Sequence, residues 1–390
     1  MYIKRKAENI LKIALKSKKV LIILGARQVG KTTLIKHFLA NEKIVFLNLD
    51  IEVDRNRFVA MSSLNPNEAM KSIGNPKYLI IDEAQRLNET GRIIKGWYDA
   101  EVKTKIVLLG SSSLDLINQS SESLTGRNEK IFLSPVLFPE IIENQTWYSS
   151  NYDKTNLTNN FGDQINSLLM NLIVFGSYPE VFLTDDKQKY LLNLVSDYLL
   201  KDVLQIGLVR NPELIRKLLM LLAYKAGSEI SVHELANNLK MSAITVEKYL
   251  SLLEETYVIF RLPAFSTNPR KEISRSQKVY FVDTGVRNAI LNEFSLNHLR
   301  SDIGGLWENW VIAEIFKQNL LFGQKRNLYF WRSKAKSEVD LIIKENEQIS
   351  AYEIKWKKKK ANKKAFENAY KTKVEIISRE DSLVMMNLLG

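Results

Sequence analysis

The residues Gly25-Ala26-Arg27-Gln28-Val29-Gly30-Lys31-Thr32 satisfy the spacing G-x-x-x-x-G-K-[ST] without a mismatch. These residue types in this order suit a triphosphate. Glycines let backbone N–H groups curl around an anion, the Lys31 ammonium is a point charge for the β- and γ-phosphates, and the Thr32 hydroxyl is a ligand for Mg²⁺. Thr33 follows in the same turn and completes the expected nucleotide contacts, Gly25 to Thr33. Some fifty residues on, Asp82 and Glu83 close the apolar run Tyr78-Leu79-Ile80-Ile81. Asp82 there can hold the Mg²⁺ shell and Glu83 can polarise an attacking water. Read alone, an acidic pair after a strand is equally a helix N-cap. A third run, Lys105 to Gly110, leads into Ser111-Ser112-Ser113, whose hydroxyls suit a γ-phosphate or a plain polar turn.

A second set of ionisable residues lies near the other end. Glu308 falls in the amphipathic segment Trp307 to Ile312, Asp340 in the strand-like Val339 to Ile343, and Glu353-x-Lys355 in Ser350 to Trp356. Alternation with period two puts Glu353 and Lys355 on one face of that strand. Thirteen positions separate Asp340 from Glu353, enough for a hairpin. An acid on a helix, an Asp on one strand and Glu-x-Lys on the next resemble the PD-(D/E)xK nuclease superfamily. The resemblance implies that Glu308, Asp340 and Glu353 bind Mg²⁺, with Mn²⁺ as an alternative, and that Lys355 orients the attacking water. The same fold also serves as a non-cutting DNA clamp, and both readings stay open. Lys355 to Lys364 holds seven lysines in ten residues, either a solvated face or a track for a phosphate backbone.

The elements that must position these residues follow from periodicity. Val20 to Leu24 reads as a buried parallel strand feeding the glycine loop, with a helix from about Lys31 aiming its positive end at the same anion. Strands are expected near 20–24, 44–49, 78–82, 105–110 and 130–133, alternating with helices, hence a parallel α/β sheet with helices on both faces. The basic N-terminus carries Ile3, Ala7, Ile10 and Ala14 on one helical stripe and lacks a cleavage site, so it reads as a helix on the sheet rather than a targeting segment. Pro135 and Pro139 mark the exit from this region. A polar stretch over 144–160 reads as a surface loop, and 161–225 turns helical. Ser231-x-x-Glu234 opens a short helix, Lys240-Met241-Ser242 makes a turn, and a second helix buries Val246, Tyr249, Leu250 and Leu253. A following hairpin gives a winged helix-turn-helix, with Thr245 and Lys248 exposed but Glu247, Glu254 and Glu255 opposing phosphate. The basic content sits in the wing, at Arg270, Lys271, Arg275 and Lys278, which favours DNA-backbone contact; packing against a protein partner is the alternative.

GARQVGKTTL, LIIDEAQ, LLGSSS and Ser123-Leu124-Thr125-Gly126-Arg127 resemble the AAA+/STAND-type ATPases of bacteria and archaea, and the resemblance extends through GSYPE at Gly176 to Glu180 and beyond Val279. It implies an AAA+ core over 1–143, a polar loop and helical lid over 144–226, a winged helix-turn-helix over 227–285, and a restriction-endonuclease-like α/β domain over 286–390. It also places Arg127 near nucleotide, in cis or from a neighbouring subunit; the alternative is a surface arginine paired with Glu129 or Glu140.

Composition bounds the rest. At 390 residues, two or three domains are expected, and no apolar run approaches the ~18 residues of a membrane span. With no cysteine and only His37, His233 and His298, a structural zinc site and disulfides are excluded, so any metal is held by carboxylates and phosphates. The net charge of +12 favours an anionic macromolecule. The expected partners are ATP and DNA, with no membrane, a second copy of the chain kept open, and a cytoplasmic location. Two function classes follow: an ATP-driven nucleic-acid-processing enzyme, or a STAND-like switch whose C-terminal domain only docks. A protein-remodelling machine is disfavoured by the lack of an aromatic–glycine pore loop.

Overall fold

The computed structural model describes residues 2–110, 124–199, 212–266, 277–323, 325–333, 337–358 and 363–386. The chain divides into two compact units, Tyr2–Ser134 and Pro135–Gly390.

The first unit runs α1 (Ala7–Ala14), β1 (Val20–Leu24), α2 (Lys31–Phe38), β2 (Ile44–Asn48), α3 (Glu52–Ser62), α4 (Pro66–Ser72), β3 (Tyr78–Asp82), α5 (Thr90–Asp99), β4 (Lys105–Gly110) and β5 (Asn128–Phe132). Its strands form one sheet in the order β2-β3-β4-β1-β5. Each ladder is parallel, as the β-then-α alternation requires. All five side chains of β1 are buried, so both faces of the sheet are covered there. On one face Val20, Ile22 and Leu24 meet Phe58 and Met61 of α3 and Ile94 and Trp97 of α5. Each such aliphatic contributes ~1.5–3 kcal/mol on burial, which fixes the strand that carries the glycine loop.

The second unit begins at Pro135, ahead of the boundary expected at 143, with α6 (Phe138–Glu143) inside it. Then come α7 (Lys154–Phe175), α8 (Lys187–Asn193) and α9 (Pro212–Tyr224). The stretch expected as a loop to residue 160 is helical from Lys154, because the Asp153 side chain accepts from the Asn156 N–H and caps it. GSYPE proves to be a packing motif. Gly176 has φ 71° and lies under Asp283, where a Cβ would meet Oδ1 at 1.9 Å. The Ser177 N–H donates to Asp283 Oδ2 at 2.7 Å, and Lys317, ion-paired with Glu314, donates to Ser177 Oγ at 3.0 Å.

Next, β6 (Glu229–Ile230) leads to α10 (Val232–Leu239) and α11 (Ala243–Glu255), which meet across the Lys240-Met241-Ser242 turn. Lys240 adopts φ 52°, and Ser242 caps α11 by accepting from the Thr245 N–H. β7 (Ile259–Pro263) and β8 (Gln277–Phe281) complete an antiparallel sheet ordered β6-β8-β7. After α12 (Thr284–Leu291), the elements are α13 (Ile303–Leu321), β9 (Asn327–Arg332), β10 (Glu338–Glu345), β11 (Gln348–Lys355), α14 (Lys364–Tyr370) and β12 (Val374–Ser378). Their sheet is ordered β12-β11-β10-β9, antiparallel except for the parallel β11–β12 pair. Phe265, Trp331, Val339, Ala351 and Phe366 build its core. Ala264 bridges to Phe330, so the two sheets of this unit are tied by backbone. Among the described residues no helix is long and apolar enough to cross a membrane.

Candidate functional site

The nucleotide-type site sits at the carboxyl ends of β1 and β3. The loop after β1 needs unusual backbone: Gln28 has φ 61° and Gly30 φ 94°. At Gly25, with φ 154°, a Cβ would lie 2.0 Å from the Leu133 carbonyl oxygen, so only glycine fits. Lys31 opens α2 and is buried, its Nζ donating to the carbonyls of Gly25 and Ala26 at 2.8 Å each. Thr32 Oγ1 donates to Asp82 Oδ2 at 2.7 Å, which brings together the two side chains expected around Mg²⁺. A hydroxyl beside a carboxylate fits an octahedral ion that takes its other ligands from phosphate and water. Asp82 Oδ1 accepts from the Glu83 N–H at 2.9 Å. Glu83 itself is left-handed at φ 52°, and its Oε2 accepts from Gln85 Nε2 at 2.6 Å. Such backbone strain, ~1–3 kcal/mol, aims the Glu83 carboxylate independently of Asp82.

Arg5 is a contributor that the sequence reading missed. Only 6% exposed, it donates from Nη1 to the Val29 carbonyl at 3.0 Å and from Nη2 to the Ser134 carbonyl at 2.7 Å. It thus ties the glycine loop to the end of this unit. Nothing but its place on a basic N-terminal helix marked it.

Arg127 is corrected. Its carbonyl accepts from the N–H of Val20, the first residue of β1, whereas the glycine loop begins after Leu24. A strand of that length spans ~15 Å, so Arg127 lies at the opposite edge of the sheet from the nucleotide loop of its own chain. A cis role is removed. The guanidinium pairs instead with Asp99, Nε to Oδ1 2.7 Å, a partner that sequence reasoning did not single out. Ser111, Ser112, Ser113 and Ser123 lie outside the described residues, as do Arg270, Lys271 and Arg275.

In the second unit, Glu308 of α13, Asp340 of β10, and Glu353 and Lys355 of β11 are brought to one region. Lys355 Nζ is 2.7 Å from Glu353 Oε1 and 3.7 Å from Asp340 Oδ2. Lys363 Nζ holds the other Glu353 oxygen at 2.7 Å, and Asp340 Oδ2 accepts from the Ile354 N–H at 2.8 Å. Burial and the charge of Glu353 raise the Asp340 carboxyl, against the pull of Lys355 and Lys278. Burial works to lower Lys355, but Asp340 and Glu353 hold it above its ordinary value.

Glu308 departs from expectation. Its Oε1 accepts from the Tyr280 hydroxyl at 2.7 Å and from Lys278 Nζ at 3.2 Å, both on β8. Burial, then the charge of Asp340, push Glu308 up to about 7, with Lys278 and Tyr280 opposing. Among the described residues no three His, Cys, Asp or Glu side chains are placed to hold one ion. The three-carboxylate metal set of Glu308, Asp340 and Glu353 is therefore not what the chain assembles, because Glu308 is turned to Lys278. Asp340 and Glu353, which share one ammonium, remain a fit for a single hard cation completed by water or phosphate. Lys278, expected among the DNA-facing basic residues of the wing, is only 4% exposed and is spent on carboxylates. Arg332, expected as a neutraliser, pairs mainly with Glu229 and stands 3.9 Å from Glu338.

On α11, two of the acids that would oppose phosphate are neutralised. Arg261 of β7 reaches Glu247 at 2.5 Å and Glu254 at 2.6 Å.

Comparison with known proteins agrees with this division. Residues 17–142 match a family described as an AAA domain, 166–297 a domain of unknown function (DUF8612), and 303–387 another (DUF4143). The uncharacterized protein MJ1544 of Methanocaldococcus jannaschii is 31% identical over 380 residues, covering 93% of this chain and 81% of that one. The uncharacterized protein Rv2008c of Mycobacterium tuberculosis is 28% identical over 360 residues, covering 90% and 74%. Among solved structures, the Walker-type ATPase PABY2304 of Pyrococcus abyssi shares the fold. It has a TM-score of 0.51 and 17% identity, over 74% of this chain and 96% of that one. The chain therefore belongs to one family with the M. jannaschii protein, and its first unit is an AAA-type P-loop ATPase domain.

Proposed function

We propose that the chain is a Mg²⁺-dependent ATPase that acts on DNA, and that its C-terminal domain is a PD-(D/E)xK-like phosphodiesterase module. The observation that carries the ATPase mechanism is the Thr32–Asp82 contact, with Lys31 inside the loop and Glu83 directed separately. Lys31 exchanges its two carbonyl acceptors for β- and γ-phosphate oxygens, while the loop N–H groups and the α2 N-terminus hold the remaining charge. Glu83 accepts a proton from the attacking water, as its carboxylate can and an amide cannot. Mg²⁺ held by Thr32 and Asp82 supplies charge neutralisation between the phosphates.

Three features support the DNA reading. The chain carries a net +12, helix α11 follows a capped turn, and Arg261 removes the repulsion expected from Glu247 and Glu254. In the C-terminal domain the order helix, three strands, helix, strand sets Asp340 and Glu353 on adjacent strands with Lys355 between them. There Lys355 orients water, and Asp340 and Glu353 take one divalent ion, whose role is to polarise the phosphoryl oxygen. We assign 144–226 to a helical lid, 227–285 to a winged helix-turn-helix and 286–390 to this module.

A second reading has an observation of its own. Lys278, Lys355 and Lys363 already pair with the carboxylates, which suits a STAND-like switch whose C-terminal domain docks without cutting. ATP turnover and DNA cleavage, each measured with and without DNA in Mg²⁺ and in Mn²⁺, separate the two. DNA-stimulated turnover with cleavage lost in Asp340→Ala supports the first. A nucleotide-driven change of oligomer, with neither response to DNA, supports the second.

A further inference from the structure

The C-terminal carboxylates are completed by a strand from outside their own sheet. β8 belongs to the sheet ordered β6-β8-β7, yet Lys278 and Tyr280, two positions apart and so on one face, both reach Glu308 of α13. Lys278 Nζ also stands 2.5 Å from Glu338 Oε1. Burial works to lower this ammonium, but the charges of Glu308, Glu338 and Asp340 outweigh it and hold Lys278 well above its ordinary value, so it stays charged. A buried charge that loses a partner is strongly destabilising, and β8 anchors Lys278 through a strand whose next four residues are buried, Lys278 to Phe281 included.

The cluster therefore has two halves. The inner one is closed on itself: Glu308, Lys278, Glu338 and Tyr280, with Lys278 only 4% exposed. The outer one is reachable, because the Lys355 side chain between Asp340 and Glu353 is 42% exposed and sits at the end of β11. Two-ion phosphodiester sites place two cations about 4 Å apart, flanked by shared carboxylates. Here one of the two cationic places is filled by a side chain that cannot diffuse away.

We infer that Lys278 is a built-in cation of the C-terminal site, standing in for a second divalent ion. The site then takes one Mg²⁺ or Mn²⁺, at Asp340 and Glu353, and Glu308 is the counter-ion of Lys278 rather than a metal ligand. This rests on the phosphodiesterase reading. It also makes the helix-turn-helix sheet and the C-terminal domain one functional body, since neither holds the site alone.

The test counts Mn²⁺ bound to the full-length protein without nucleotide, by electron paramagnetic resonance titration. Asp340→Asn is the baseline for ions bound elsewhere. The expected result is one ion above baseline in wild type, one in Glu308→Gln, one in Lys278→Arg, and two in Lys278→Met. The double variant Lys278→Met/Glu308→Gln is expected to return to one. Two ions in wild type, loss of the ion in Glu308→Gln, or no gain in Lys278→Met overturns the inference while leaving the metal-site reading standing. A wild-type count equal to the Asp340→Asn baseline overturns the phosphodiesterase reading, and this inference with it. Should Lys278→Met fail to fold by circular dichroism, wild type against Glu308→Gln decides alone.

Discussion

Replacing Arg5 by methionine keeps the length and apolar stem of the side chain and removes both observed bonds, to the carbonyls of Val29 and Ser134. A hydrogen bond from a charged donor contributes ~1.5–3 kcal/mol, so losing the pair is expected to destabilise the protein by ~3 kcal/mol or more. The Val29 bond is the one that nucleotide feels, since Val29 lies within the glycine loop. If only that bond orders the loop for phosphate, its loss is worth ~1.4 kcal/mol or more in binding, hence about a tenfold rise in KM for ATP with kcat changed less. Arg5→Lys should recover little, because a single ammonium cannot span two carbonyls as a planar guanidinium does. Urea unfolding gives the first quantity and steady-state ATP turnover the second. A KM within twofold of wild type, with an unchanged unfolding midpoint, would refute the claim that Arg5 organises the loop.

Lys31→Ala is expected to abolish ATP binding, and Glu83→Gln to retain binding while hydrolysis falls ~10²-fold or more; turnover near wild type in the latter assigns the water to another residue. Arg127→Ala should cost ~1 kcal/mol or less in stability and leave the turnover of dilute protein unchanged, because its pair with Asp99 is exposed and remote from the loop. If copies associate and Arg127 acts in trans, turnover at high concentration should drop ~10³-fold in the variant and be rescued by Lys31→Ala subunits; loss at every concentration without rescue contradicts the placement. Burial works against the charged form of Asp302, but hydrogen bonds and charge from Arg300 and Arg287 outweigh it and hold its carboxyl below the usual range. Its stabilisation is then complete above the unfolded value of ~3.9 and lost as pH falls through the folded one. The urea midpoint should therefore fall more steeply below pH ~4 in wild type than in Asp302→Asn, and parallel curves would count against the ion pair.

The nucleotide loop was legible because its chemistry is local: a strand, a glycine turn and a helix in consecutive residues leave little for tertiary structure to decide. The positions of Asp82 and Glu83 followed from the same logic, but the left-handed backbone that separates them did not, since nothing in a Glu reports its φ. Arg127 was misplaced for a topological reason. It follows the fourth strand in sequence but leads into β5, so parallel pairing with β1 carries it to the far edge. The carboxylate cluster was found from alternation within β10 and β11, which is short-range information. Lys278 and Tyr280 arrive from β8 across a sheet boundary, and one sequence read in order carries no sign of such a contact. Lys278 looked like any other wing lysine until its burial was seen. The helix capped by Asp153 was read as loop because asparagine and threonine outweighed the cap in a composition argument.

The central claim, that ATP hydrolysis at Lys31, Thr32, Asp82 and Glu83 serves DNA, is tested most directly by ATP turnover of the full-length protein titrated with duplex and single-stranded DNA at fixed Mg²⁺. The account predicts turnover that rises with DNA, weakens with added salt as phosphate contacts are screened, and disappears in Glu83→Gln. Turnover indifferent to either DNA at low salt, in protein that hydrolyses ATP, would contradict it.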